Sequence, residues 1–321
     1  MEKLQQIQQS IITSKELLRT HFNVKKSFDL AQSNIKKEVD NILEMQHKEI
    51  PVIPEIDYKS IVNGKISFDE IANIKRRGAL IIRNVFDDQQ ASEWNDEVGD
   101  YILSNDYFTK SVEREGMDQY FSQLKSGAPQ IFGIYWSRPQ MLARQSQSMA
   151  NTKRFLNSMW NVSSPHGDEF DPNNDFIYAD RIRRREPGDE TLGLSPHIDG
   201  GSFERWTDPA FQKVYGSVFN GDLKSYDPWN AAHRTHTKEY KSPAVCSMFR
   251  TFQGWTALTS QGPSDGTLSV IPIANAMSYI LLRALQKDIL PDSLCDAEPG
   301  RPLNISSKYH KELMDGLVSI Q

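Results

Sequence analysis

A chain of 321 residues, 38% hydrophobic and 25% charged, is long enough to bury a sizeable core and too apolar to be disordered. A net charge of −5 excludes a global electrostatic attraction to nucleic acid or anionic membrane, and two cysteines, Cys246 and Cys295, exclude a disulfide framework. With no apolar run of the ~18–20 residues a membrane span needs, and no apolar block near the N-terminus, a cytoplasmic protein without membrane or nucleic-acid partners is expected.

Residues 1–50 read as helical. Leu4, Ile7, Ile11 and Leu18 recur at helical spacing, as do Ala31, Ile35, Val39 and Ile42. Thr13-Ser-Lys-Glu16 fits a capping box and predicts an interruption there. Pro51 and Pro54 end the segment. Phe68 to Arg76 predicts a short helix, and Gly78 to Phe86, with its β-branched residues, a buried strand. Asp87-Asp88 can cap the next helix, whose inner stripe would be Ala91, Trp94, Val98 and Ile102.

A polar stretch, 105–130, precedes a predicted strand from Gln130 to Trp136. Ser137-Arg-Pro139-Gln140 has the N-cap serine, early proline and glutamine of a helix start, with helical segments through Trp160. Residues 163–174, rich in Ser, Pro, Asp and Asn, predict a loop and an internal boundary. From Phe176 to Arg185 a strand would set Arg181, Arg183 and Arg185 on one face. That face is either a cationic wall for an anionic small-molecule substrate, contacted by Arg181 and Arg183, or simply a solvated surface.

The stretch Gly193 to Trp206 holds the candidate metal ligands. His197 and Asp199 stand two apart, so in an extended strand they project from one face and can converge on one cation. One more histidine would complete the face of two histidines and a carboxylate that binds non-haem Fe(II) with positions left open. A histidine and an aspartate two apart also occur at ordinary polar strand ends, so the spacing alone is a weak signal. Asp208 to Val218 predicts a helix. His233 and His236 lie in an aromatic-rich insertion with no carboxylate or cysteine arranged beside them, and read as a surface pair. Strands are predicted over Pro243–Phe252, Gly254–Thr259 and Thr267–Pro272, then an amphipathic helix from Ile273 to Asp288 and a short helix from Ser307 to Asp315.

These elements predict an α+β protein with a mainly β core, a small barrel or jelly roll. Its N-terminal helical segment is 1–50 and its second domain 51–321, the latter with a helical flank (51–162) and barrel strands (175–321). Pro196 to Trp206 and Phe249 to Leu258 resemble the YbiU-like (DUF1479) proteins. The order His-x-Asp, Gly254-Trp-Thr-Ala257, Asp265-Gly-Thr-Leu-Ser-Val-Ile-Pro272 resembles the phytanoyl-CoA dioxygenase-like branch of the Fe(II)/2-oxoglutarate oxygenases. The likeness runs from about residue 60 onward.

The resemblance implies a double-stranded β-helix holding Fe(II) through His197 and Asp199, with 2-oxoglutarate as co-substrate and hydroxylation of a small molecule as the activity. It places Trp255 beside the 2-oxoglutarate pocket and makes Arg250 a candidate for a carboxylate contact. The chain departs from the family pattern after Pro272. Nothing there matches the second iron-binding histidine or the arginine that holds the far carboxylate of 2-oxoglutarate. The expectation is therefore an oxygenase whose barrel is incomplete at its C-terminus through truncation and inactive as written, or one in which His310, His233 or His236 supplies the missing ligand, with a non-catalytic binding module on the same fold as the alternative.

Overall fold

Asn23 begins the element around which the fold is built. Its side chain accepts from the Lys26 amide and caps a 24-residue helix, Val24–His47, whose apolar residues return every three to four positions. In the computed structural model, which describes residues 2–107, 131–177, 180–185, 206–237, 249–262, 265 and 267–289, this helix (α2) follows α1 (Glu2–His21). The remaining elements are β1 (Glu55–Asp57), α3 (Tyr58–Val62), α4 (Phe68–Arg77), β2 (Ile81–Arg83) and α5 (Asp88–Ser104). Next come β3 (Ile131–Phe132), α6 (Arg138–Gln145), α7 (Gln147–Asn157), the hairpin of β4 (Ser163–Ser164) and β5 (Gly167–Asp168), and β6 (Ile182–Arg183). Two short helices, α8 (Pro209–Val214) and α9 (Gly216–Phe219), a 3-10 turn (Arg234–His236) and α10 (Ala276–Ala284) complete the set.

The predicted β core is not found. About 51% of the described residues are helical, and their strands form three two-stranded sheets: β1 parallel to β2, β3 antiparallel to β6, and β4 antiparallel to β5. A double-stranded β-helix and a mainly β architecture are overturned. The alternation in 249–259 and 267–272 misled for a physical reason. A strand exists only against a ladder partner, and these segments are extended backbone without one among the described residues, leaving Leu268, Val270 and Ile271 exposed. Gly254, Gly262 and Pro272 punctuate the run at short intervals. The strand expected over 78–86 shrinks to Ile81–Arg83 and is not buried, because it pairs on one edge only, with Glu55–Asp57.

The largest core joins the two ends of the described chain. Ile35 and Ile42 of α2, Leu18 of α1, Phe211 and Phe219 of the short helices, and Leu281, Leu282 and Leu285 of the α10 region form one buried cluster. The most extensive helix–helix contact is α2 with α10. α1 is tied in by cations at the end of α10: Lys15 Nζ donates to the Ile289 carbonyl at 2.5 Å and Arg19 Nε to that of Leu285 at 2.7 Å. Such side chains satisfy carbonyls that a helix C-terminus leaves open. The break expected at Thr13–Glu16 does not occur; α1 runs on to His21, and the stop comes where Asn23 caps α2.

α4 begins with a Ser67–Glu70 capping box and ends at Gly78, whose φ of +67° places it in the left-handed region. A Cβ there would also stand 3.1 Å from the Ala274 Cα, so glycine is required on two counts. Its last residue, Arg77, is 2% exposed and faces Glu38, Asn41 and Met45, one face of α2. Burial first, then Arg76, pushes its pKa below the usual value, while Glu38 opposes the shift. Nη2 donates to Asn41 Oδ1 at 2.6 Å, whereas Nε and Nη1 have no hydrogen-bond partner among the described residues. A buried charge satisfied this incompletely is worth little over a hydrophobe, but costs more when its partner goes. Arg77→Met is expected to stay within about 1 kcal/mol of wild type, and Asn41→Leu to lose about 1–3 kcal/mol, measured by urea unfolding.

α5 carries the predicted stripe. Asp87 accepts from the Gln89 and Gln90 amides, and Trp94, Val98 and Ile102 are buried with Ala91 half-covered. Val98 and Ile102 pack with Tyr107, Phe132, Ile134 and Ile182 in a second cluster, and Ile56, Ile74, Met159 and Trp229 make a third. No helix among the described residues is long and apolar enough to cross a membrane.

Candidate functional site

The arginine-bearing strand shrinks from the expected ten residues to two, Ile182–Arg183, among the described residues, yet its alternation holds. Phe132 faces Ile182 and Ile131 faces Arg183 across the antiparallel pair. Ile182 turns into the core, so Arg181 and Arg183 lie on the opposite side. Arg181 stacks over the Tyr135 ring at 5.8 Å. The Arg183 pKa is lowered, by burial first and by Arg185 second. Arg184 crosses to α5, where its Nη1 lies 2.7 Å from the position a Cβ on Gly99 would take.

The entry of this strand is tied to the start of α6. Ser137 and Gln140 form the predicted capping box, and the Gln140 amide donates to the carbonyls of Ile134 (2.9 Å) and Asp180 (3.0 Å). Arg144 pairs with the Asp180 carboxylate, reaches the Tyr135 carbonyl, and lies 5.1 Å over the exposed Trp136 ring.

Of the other predicted site residues, His197 and Asp199 lie outside the described residues. Arg250 is exposed, and Trp255 is 55% exposed on an extended segment rather than packed in a barrel. The stretch before it is anchored on aromatic rings: Phe249 stands edge-on to Trp160 at 5.2 Å, and Phe252 lies 5.6 Å from Trp229. Thr251 donates to Asn157 Oδ1 at 2.7 Å. The structure thus brings Arg181 and Arg183 together on one strand and holds Arg250 near a ring cluster.

Sequence reasoning missed a cluster around Glu169. His233 and His236 do have a carboxylate beside them, but it comes from more than 60 residues earlier in the chain. Glu169 follows the β4–β5 hairpin, and its side chain is 2% exposed. The His233 amide donates to Oε1 at 3.1 Å, the Thr235 hydroxyl donates to Oε2, and His236 Nε2 stands 3.5 Å from Oε2. Burial alone would raise the Glu169 pKa; the hydrogen bonds from Thr235, His233 and Ser164, with His236 nearby, outweigh it and hold the carboxyl below its ordinary value. His233 has φ of +68°, a left-handed conformation unusual outside glycine and sustained here by its bond to Glu169. No local pattern announces such a partner; a His-x-x-His pair is the only hint.

A shallow cavity of about 400 Å³ lies between α2, α4 and the 227–229 and 273–275 segments. Its walls include Glu38, Lys75, Arg76, Asp227 and Trp229, charges of both signs. Trp229 Nε1 donates to the Lys75 carbonyl, which fixes the indole in the wall rather than offering it to a ligand.

The Gig2-like family profile matches residues 5–320. YbiU of Escherichia coli K12 is 42% identical over 300 residues, covering 93% of this chain and 71% of that protein. A solved Salmonella typhimurium LT2 protein named "Putative Oxidoreductase" is 42% identical with a TM-score of 0.82, covering 95% of this chain and 74% of its own. Gig2 (DUF1479) of Candida albicans is 26% identical with a TM-score of 0.66, covering 95% and 61% respectively. With the profile and a relative of this identity extending over nearly its whole length, the chain belongs to the Gig2-like (DUF1479) family.

Proposed function

We propose that this protein is a non-haem Fe(II)- and 2-oxoglutarate-dependent oxygenase that hydroxylates an anionic small molecule. The observation that carries the reading is His197-Ile-Asp199. An imidazole and a carboxylate two apart on extended backbone share a face, and this donor set suits Fe(II) better than soft metals. The relative from Salmonella named as an oxidoreductase supports the general class. The likeness of the Gly254–Ala257 and Asp265–Pro272 motifs to Fe(II)/2-oxoglutarate oxygenases supports the specific one. When bound, the pair of iron and 2-oxoglutarate supplies oxidation: one atom of O₂ enters a substrate C–H bond as 2-oxoglutarate becomes succinate and CO₂.

The chain's own residues bind and orient. Arg181 and Arg183 present two guanidinium groups on one strand face, a match for the carboxylate or phosphate of a substrate. Arg250 and Trp255 are the candidates for contacts to 2-oxoglutarate. Among the described residues no group of three or more His, Cys, Asp or Glu gathers as a metal site, so the reading rests on the 197–199 sequence.

Anaerobic calorimetry with Fe(II), followed by 2-oxoglutarate, tests it. Stoichiometric metal binding is expected, with 2-oxoglutarate binding only in its presence and succinate forming on admission of air. Absence of metal binding overturns it. A second reading is a binding module without catalysis; metal and 2-oxoglutarate binding without succinate would select it.

A further inference from the structure

The groups around Glu169 come from two separate stretches. One is the β4–β5 hairpin with its tip residue His166; the other is the 3-10 turn with His233, Thr235 and His236. The carboxylate clasps the second to the first. Above it the rings of His166 and His233 stand nearly edge to face, 6.3 Å between centroids. We propose that this clasp is a pH-sensitive latch: with the His233 ring neutral the hairpin is held against the turn, and its protonation beside the His166 ring and Lys213 releases it.

The charged and titratable groups facing His233 are Glu169, His166, His236 and Lys213 of α8. Burial first, then Lys213, pushes the His233 pKa below the ordinary histidine value; Glu169 opposes, and His166 and His236 add to the lowering. A base whose pKa is lower in the closed state takes a proton more readily once open. The closed state therefore has its full stability above about pH 6.5 and loses it as the pH falls below. Glu169, held ionised, does not titrate in that window. The contact of His236 with Glu169 is screened by water, since the His236 side chain is 60% exposed, whereas Lys213 opposes a charge on the partly covered His233 ring.

The latch bears on the candidate co-substrate segment. Phe170, directly after Glu169, lies 6.0 Å from Phe249, which leads through Arg250 to Trp255. Release of the hairpin loosens one wall of the ring cluster that seats Phe249. This holds whether or not the oxygenase reading does.

Hydrogen exchange on the full chain, expressed as protection factors to remove the intrinsic pH dependence, tests the latch. Between pH 8 and pH 5.5, amides of 163–170 and 233–237 are expected to lose protection several-fold while those of α2 stay constant. His166→Gln and His233→Asn, the latter chosen because asparagine tolerates the left-handed backbone, should each blunt the response. Thr235→Val, which removes one donor to Glu169, should lower protection at both pH values. Unchanged protection across the range, a wild-type response in His233→Asn, or a loss shared equally by α2 overturns the proposal.

Discussion

His197→Ala is expected to weaken Fe(II) binding by more than about 100-fold. Loss of an outer-shell partner alone costs 10–100-fold in metal affinity, and removal of a directly bonded nitrogen exceeds that. The effect should be steep because His197 is one of the two ligands that the His-x-Asp motif supplies. Calorimetry with Fe(II) under argon, or with Mn(II) in air, measures it, and a far-UV circular dichroism spectrum matching wild type confirms that the fold survives. Asp199→Ala should behave alike. Equal affinity in wild type and both variants would remove the 197–199 pair from any metal role.

Leu282→Ala is expected to lower the unfolding free energy by about 2–5 kcal/mol. The side chain is fully buried at the α2–α10 contact, in the cluster with Ile35, Ile42, Phe219 and Leu285. Transfer of a leucine side chain from water accounts for about 1.5–3 kcal/mol, and the void left between two helices supplies the rest. The urea midpoint should fall with little change in slope. Leu103→Ala is the matched control: at 72% exposed, it should stay within about 0.5 kcal/mol. A small loss at position 282 would mean that the helices close over the gap, and that the contact is less tightly packed than its burial implies.

Helices with a strong local signal were legible in the sequence. Ser137-x-x-Gln140 and Asp87 announced α6 and α5 through hydrogen bonds that reach only three residues, and the 3.6-residue spacing of α2 is set by its own face. What failed was pairing. The partner of Ile81–Arg83 is Glu55–Asp57, a three-residue segment with no recognisable alternation, and the alternating runs after residue 249 have no partner among the described residues. Alternation reports that a segment could sit on a sheet, not that a sheet exists. The same limit hid Glu169. Its role depends on a hairpin bringing it to His233 and His236 across more than 60 intervening residues, and nothing in either segment names the other. The likeness to the DUF1479 proteins was legible because it rests on contiguous motifs; the β-helix inferred from the likeness to the oxygenases was not, and the described residues correct it.

The cations of α1 that close the end of α10 have a kinetic consequence. Lys15 bonds to a carbonyl 274 positions later. At a synthesis rate of 5–20 residues per second, Lys15 is made roughly 15–55 s before its acceptor. Leu18 can meet Val24, Ala31 and Ile35 of α2 early, but the two cation–carbonyl bonds at the end of α10 must form late, so they lock a helix pair that is already assembled.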